Sequence, residues 1–160
     1  LRQAFAGESQ ANRRYLAFAK KAEEEGLKNV ARLFMAAAEA ETVHALNHIK
    51  ADGGIKVTKE NIQVAIEGER YENTEMYPKF IEEAKKEGNT EAEKSFDWAN
   101  RVEKIHQGFY EKALEKLNAG HDIERKDYYV CQTCGNTVEG EPPEACPICG
   151  MPKSQFKKIE

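Results

Sequence analysis

Seven ionisable side chains in the first 110 residues sit where a helical apolar stripe would place Leu or Ala: Glu8, Glu41, His44, Glu69, Glu72, Glu103 and His106. Two Glu-x-x-His pairs stand out, 41/44 in "AEAETVH" and 103/106 in "RVEKIH". Residues three apart share one helix face, so each pair can converge on one point. Carboxylates mixed with imidazoles suit divalent transition metals. An uncompensated buried charge costs several kcal/mol, against a net stability of about 5–15 kcal/mol for a whole domain. Five inward carboxylates therefore require cations, and two divalent ions supply them. Two ferrous ions leave one net negative charge, and two ferric ions with an oxo bridge leave the same. Such a site changes oxidation state at constant buried charge. One Glu from each of two helices plus Glu-x-x-His from two others is the di-iron carboxylate arrangement, and Glu72 is one carboxylate more.

All four cysteines fall in two C-x-x-C turns, "CQTCG" and "CPICG", giving Cys131, Cys134, Cys146 and Cys149. This is metal-site usage in a reducing compartment, not a disulfide framework. Four thiolates take zinc or iron. The motif alone reads as a structural zinc ribbon. A neighbouring redox dimetal site needs an electron source, which turns the reading to one iron, with zinc as a substitute. Gly135 and Gly150 are expected at positive φ, turning backbone N–H groups toward the sulfurs.

The elements that must position these groups are legible as four long helices, over about 1–25, 28–51, 58–88 and 90–119. Gly26, the Gly53-Gly54 pair, Gly88 and Gly120 end them. Their stripes predict an antiparallel four-helix bundle. Pro78 should kink the third. Thr90-Glu91-Ala92-Glu93 reads as the capping box of the fourth. After Gly120 the composition turns polar, then rich in Pro, Gly and Cys. Two domains follow: 1–120, the bundle, and 121–160, a linker with a metal-stapled four-cysteine domain too small to fold on its core alone.

The chain of 160 residues carries a formal charge of −4 with no basic block, which argues against nucleic acid. No apolar run of about 18 residues predicts a membrane span. No secretory leader precedes Leu1, which already lies in the first helical stripe, so the native start is expected upstream. The expected location is cytoplasmic. Tyr15, seven residues after Glu8 on the same face, is either a proton donor beside the metals or a core tyrosine. Tyr77 precedes the expected kink and can approach the site. His48 reads as a core or interface histidine, and Glu39 and Glu75 as solvated or as outer partners of the ligands rather than ligands themselves.

These residues resemble the rubrerythrin family: "AFAGESQANRRY" around Glu8 and Tyr15, "AEAETVH", "EGERYENTEMYP", "EKIH", and then a rubredoxin-like tail. The resemblance implies a ferritin-like bundle with a C-terminal rubredoxin-like domain. It implies that Glu41 and Glu103 bridge two irons, that Glu8 and Glu72 serve one, and that Glu69 and His106 serve the other. One iron would shift between Glu72 and His44 with oxidation state. Tyr15 and Tyr77 match the family's tyrosines beside the irons, and the four cysteines match its rubredoxin-type ligands. The implied activity is reduction of hydrogen peroxide to water by a homodimer, with electrons relayed through the four-cysteine iron from an external donor, a rubredoxin or a reductase. Two other readings stay open: a ferritin-like ferroxidase or iron-handling protein, and a peroxide sensor with a zinc tail.

Overall fold

The computed structural model describes residues 1–160 as two compact units, Leu1–Lys56 and Val57–Glu160. The first is a hairpin of α1 (Arg2–Glu24) and α2 (Lys28–Ala51). Its seam is alanine: Ala19 and Ala22 on α1 meet Ala31, Ala38 and Ala45 on α2, all buried. The seven-residue spacing on α2 is that of a coiled-coil seam. Small side chains there bring the two backbones close. The larger apolar side chains point elsewhere. Val30, Leu33, Met35, Val43 and Leu46 on α2 are exposed, Leu33 at 69%. Tyr15, Phe18 and Phe34 form one aromatic cluster, with centroids 5.5–6.4 Å apart.

The second unit opens with α3 (Thr58–Tyr71), a π turn (Glu72–Met76) and α4 (Tyr77–Glu87), where the sequence predicts one rod kinked at Pro78. The disturbance precedes the proline, and its cause is local. Pro78 has no N–H for the carbonyl four residues back. The Tyr77 N–H instead reaches the Glu72 carbonyl, five residues back, so the ladder widens by one residue and the rod continues. The expected cap of the next helix also shifts. In α5 (Thr90–Asn118) the N-cap is Asn89, whose side chain accepts from the Ala92 N–H at 3.1 Å, and Thr90 is already helical. α5 packs along both α3 and α4, joined by a cluster of Tyr77, Phe80 and Phe96 with centroids 5.4–6.4 Å apart.

Beyond α5 lies an antiparallel sheet in the order β2-β1-β3, made of β1 (Tyr128–Cys131), β2 (Thr137–Glu139) and β3 (Phe156–Ile159). Tyr129 pairs with Val138 on one side and Lys158 on the other. The sheet holds the two cysteine turns and lies against α5. Arg101 donates to the carbonyls of Pro147 (2.9 Å) and Ile148 (3.2 Å), and Phe109 meets Tyr128 edge to face. No helix is long and apolar enough to cross a membrane.

Candidate metal centres

In the first unit, Glu8 on α1 and Glu41 and His44 on α2 bring their ligand atoms within 4.8 Å of one another. His44 Nδ1 lies 2.8 Å from Glu41 Oε2. One turn past Glu8, Asn12 donates to the Ala38 carbonyl (2.7 Å) and to Thr42 Oγ1 (2.8 Å), pinning α1 to α2 beside the cluster. The Glu41 side chain is largely covered at 18% exposure, whereas His44 stands open at 55%.

The second unit repeats the plan with Glu69 on α3 and Glu103 and His106 on α5, again within 4.8 Å. His106 Nδ1 lies 2.8 Å from Glu103 Oε2 and 3.7 Å from Glu69 Oε1. Asn73, one turn past Glu69, donates to the Glu69 carbonyl (2.7 Å) and to Gln107 Oε1 (2.9 Å), again tying the two helices. Burial pushes the Glu69 carboxyl up to about 7, helped by its hydrogen bond to Glu103 and by that residue's charge. Burial also acts on Glu103, but hydrogen bonds from His106 and Glu69 outweigh it and hold Glu103 below its usual range. The Glu103 hydrogen bond raises His106. Glu69 thus keeps a proton toward neutral pH because burial strips its charge of solvent and Glu103 repels it, a deficit that a cation fills.

Glu72 lies outside this three-residue cluster, on the π turn, where burial and the Glu103 charge raise it. Tyr77 is raised by burial and by the charges of Glu72, Glu103 and Glu69. Tyr110 is raised by burial and by Glu69 and Glu103. The sequence reading passed over it, although it follows Glu103 by the same seven residues that separate Tyr15 from Glu8. The rings that Tyr15 meets are Phe18 and Phe34.

Thr137 on β2 is a further contact that sequence reading missed. Its hydroxyl lies 2.9 Å from His106 Nε2 and donates to the Gly135 carbonyl at 3.2 Å. A hydroxyl has one hydrogen, so Thr137 accepts from Nε2–H. That fixes the proton on Nε2 and leaves Nδ1 as the atom from which a cation displaces a proton.

The four sulfurs also lie within 4.8 Å of one another. Cys131–Cys149 and Cys134–Cys146 are separated by 3.7 and 3.6 Å. A tetrahedron with metal–sulfur bonds of about 2.3 Å has edges of about 3.8 Å, so the knuckles are spaced for one ion. Burial pushes the Cys134 thiol up. Burial acts on Cys146 too, but N–H groups of Cys149 and Ile148 outweigh it and draw that thiol down to about 7. Gly135 and Gly150 take the expected positive φ, +81° and +76°. Their own N–H groups, however, go to the carbonyls of Cys131 and Cys146, and the next residues, Asn136 and Met151, turn their N–H groups to the sulfurs of Cys134 and Cys149. Hard carboxylates and imidazoles in one part and soft thiolates in the other fit iron in both.

Residues 1–114 match the family described as Rubrerythrin, and residues 129–157 match Rubrerythrin, rubredoxin-like domain. The chain is 37% identical over 171 positions to Rubrerythrin-2 of Clostridium acetobutylicum, covering 98% of this chain and 93% of that one. It is 38% identical over 170 positions to nigerythrin of Nitratidesulfovibrio vulgaris, covering 98% and 83%. A solved structure of nigerythrin in a mixed-valence state is similar at a TM-score of 0.59 and 34% identity, covering 98% of this chain and 83% of that one.

Proposed function

Because the chain belongs to the rubrerythrin family, with its ferritin-like helical fold and C-terminal rubredoxin-like domain, we propose that it is a non-haem di-iron peroxidase that reduces hydrogen peroxide to water. Glu8, Glu41, His44, Glu69, Glu103 and His106 would hold two irons, with Glu72 as a further carboxylate. Cys131, Cys134, Cys146 and Cys149 would hold a third. Bound iron supplies electrons and Lewis acidity for breaking the O–O bond. The balance is one H₂O₂, two electrons and two protons to two waters. Tyr77, kept protonated by burial and by the charges of Glu72, Glu103 and Glu69, would hold a proton for the substrate, and Tyr15 would serve the first cluster in the same way. Function divides near residue 120, with reduction ahead of it and electron supply behind it.

The observation that carries this reading is the contact between the two parts. A hydrogen-bonded path runs from the Gly135 carbonyl, next to Cys134, through Thr137 to His106. An iron-oxidising or storage protein needs no such connection to a thiolate ion, which favours a peroxidase fed by an external donor, a rubredoxin or a reductase. The test is anaerobic stopped-flow mixing of the fully reduced, iron-loaded protein with H₂O₂ and, separately, with O₂. Oxidation should be much faster with H₂O₂, and a faster O₂ reaction would overturn the assignment.

A further inference from the structure

Both cysteine turns rest on α5. Behind the first, a Cβ on Gly135 would lie 4.0 Å from Cγ1 of the buried Val102, and Thr137 reaches His106. The second turn meets Arg101. Its Nη2 donates to the Pro147 carbonyl at 2.9 Å, and its Nη1 to the Ile148 carbonyl at 3.2 Å. Both carbonyls lie between Cys146 and Cys149. A full positive charge therefore caps a turn that supplies two of the four sulfurs.

Each of those carbonyls shares a peptide group with an N–H on its far side. The Pro147 carbonyl is joined to the Ile148 N–H, and the Ile148 carbonyl to the Cys149 N–H. Both N–H groups donate to Cys146 Sγ. A peptide group is conjugated across its C–N bond. A cation on the oxygen draws electrons toward itself and makes the N–H a stronger donor. The Arg101 charge thus reaches one sulfur along two parallel routes, from guanidinium to carbonyl to N–H to sulfur. The same sulfur takes a third donor, Asn136 Nδ2 at 3.7 Å, from a side chain that is 1% exposed. Cys146 is itself buried, so these donors rather than water stabilise its charge.

Arginine is the residue this geometry asks for. Its planar fork spans two successive carbonyls with separate nitrogens, whereas a lysine ammonium is a compact point charge. Asp97, one turn earlier on α5, places Oδ2 3.7 Å from Arg101 Nη1. It holds the guanidinium in place and offsets part of its charge. The Arg101 side chain is also 43% exposed, so water and salt weaken its field. The effect on the metal is therefore moderate.

We infer that Arg101 is a positioning residue that raises the reduction potential of the four-cysteine iron, acting through the Pro147–Ile148 and Ile148–Cys149 peptide groups. The inference rests on the thiolate-iron reading above and adds to it how the bundle tunes that iron. Four thiolates with ferric iron carry one net negative charge, and one electron from the external donor makes it two. Hydrogen bonds to sulfur and a nearby cation favour the more negative, ferrous form. The thiolate iron then fills from the donor and stays ferrous between turnovers. The cap exists only while the sheet is seated on α5, so seating and electron uptake are linked.

The test is a redox titration of the four-cysteine iron in the full-length, iron-loaded protein, followed by its visible absorption. At the potential where the wild type is half reduced, Arg101→Gln should raise the ferric-to-ferrous ratio about tenfold, the lower end for outer partners of metal ligands, which is a potential about 59 mV lower. Arg101→Lys should recover part of this, because the charge returns without the fork. A merely structural role gives the opposite sign, since a loosened sheet lets water reach the sulfurs and water favours the more charged ferrous form. An unchanged or higher potential in Arg101→Gln overturns the proposal, and so does a lysine variant as low as the glutamine one. The route is read by NMR on the full chain with zinc at the cysteines. The amide protons of Ile148 and Cys149 should move upfield in Arg101→Gln, while that of Asn136, which donates to Cys134 Sγ, stays in place. Equal shifts in both turns, or none, overturn the relay. Protein that binds no iron at the cysteines would instead sink the thiolate-iron reading, so the two failures are distinct. Should Arg101→Gln fail to fold, Asp97→Asn decides from the other side. It unmasks the guanidinium charge, so the ratio should fall about twofold, as for a half-exposed ion pair, and a ratio that does not fall overturns the inference.

Discussion

Glu41 with His44 and Glu103 with His106 are one device in two settings. In both, Nδ1 lies 2.8 Å from Oε2, because residues three apart on a helix meet at that spacing. In both, an asparagine one turn past the cluster's other carboxylate, Glu8 or Glu69, ties the helix pair together. The surroundings differ. His44 is 55% exposed, while His106 is 29% exposed and has its outer nitrogen on Thr137 of the sheet. Helix spacing therefore sets the internal geometry of each cluster, and what packs beside it sets the role. A histidine without such an outer partner can leave a metal and return, which suits the exchange of His44 with Glu72 that the family resemblance implies. A histidine clamped through Nε2 holds a fixed position.

That contrast is broken if the two histidines prove interchangeable. His106→Ala should slow re-reduction of the dimetal iron by the thiolate iron by about 100-fold, since both the metal donor and its outer partner go. His44→Ala should slow it by less than about 10-fold, because a carboxylate can take its place. Stopped-flow absorbance of the four-cysteine iron after one addition of peroxide reads both. Equal losses would mean that the environments do not matter.

Metal-free protein offers a second test through the carboxylates of the second unit. Glu69 has a folded value of about 7 against 4.5 unfolded. Its protonated form is the one the fold favours, so its contribution is complete below about pH 4.5 and is lost as pH rises toward 7. His106 is also raised, and its contribution is likewise lost as pH climbs past its folded value. Glu103, held low, already contributes fully above pH 4.5 and does not vary in this window. The metal-free protein should therefore lose on the order of 1–2 kcal/mol between pH 5 and pH 8 once solvent screening is allowed for, a fall in Tm of about 3–6 °C. Glu69→Gln should flatten that slope. Iron should abolish it in the wild type. A slope that survives Glu69→Gln would place the titration elsewhere.

A smaller effect isolates the clamp itself. Thr137→Val keeps the shape and removes the acceptor for Nε2–H. Electron delivery should fall about 10-fold, the lower end of the range for outer partners of metal ligands. Thr137→Ser should restore it, while the absorption of the four-cysteine iron stays unchanged in both. A loss that serine does not rescue would make the contact a packing matter.

The residues of both clusters were legible because each interrupts an apolar stripe at helical spacing, and that spacing is local. The cysteine knuckles were legible for the same reason. What escaped depends on contacts that no local pattern carries. Thr137 meets His106 across 31 positions of sequence, through the docking of the sheet on α5. Pro78 announced a disturbance but not its form, because a π turn depends on which carbonyl the next free N–H finds. Asn89 and Thr90 are both good caps, and the choice between them turned on one residue of backbone. At the knuckles the positive φ was predictable, but the direction of the glycine N–H groups followed from the closing of each turn on its own first carbonyl.

The last comparison concerns where the halves should behave alike. Asn12 bridges α1 to the Ala38 carbonyl and Thr42 on α2, and Asn73 bridges the π turn to Gln107 on α5. Neither asparagine is a proposed metal ligand, and both lie one turn past a carboxylate that is. Removing either side chain by Asn→Ala deletes two hydrogen bonds, both of them across helices at Asn12 and one of them at Asn73, and leaves partly buried partners unpaired, at a cost on the order of 1 kcal/mol per variant and a fall in Tm of about 2–4 °C. The two losses should match within a few tenths of a kcal/mol and should add in the double variant, because the residues share no partner. Chemical denaturation of the iron-free protein reads this without interference from metal binding. Equal losses here beside unequal losses at His44 and His106 would locate the asymmetry in what packs around each cluster rather than in how each helix pair is built. Unequal losses at the asparagines would move it into the helix pairs themselves.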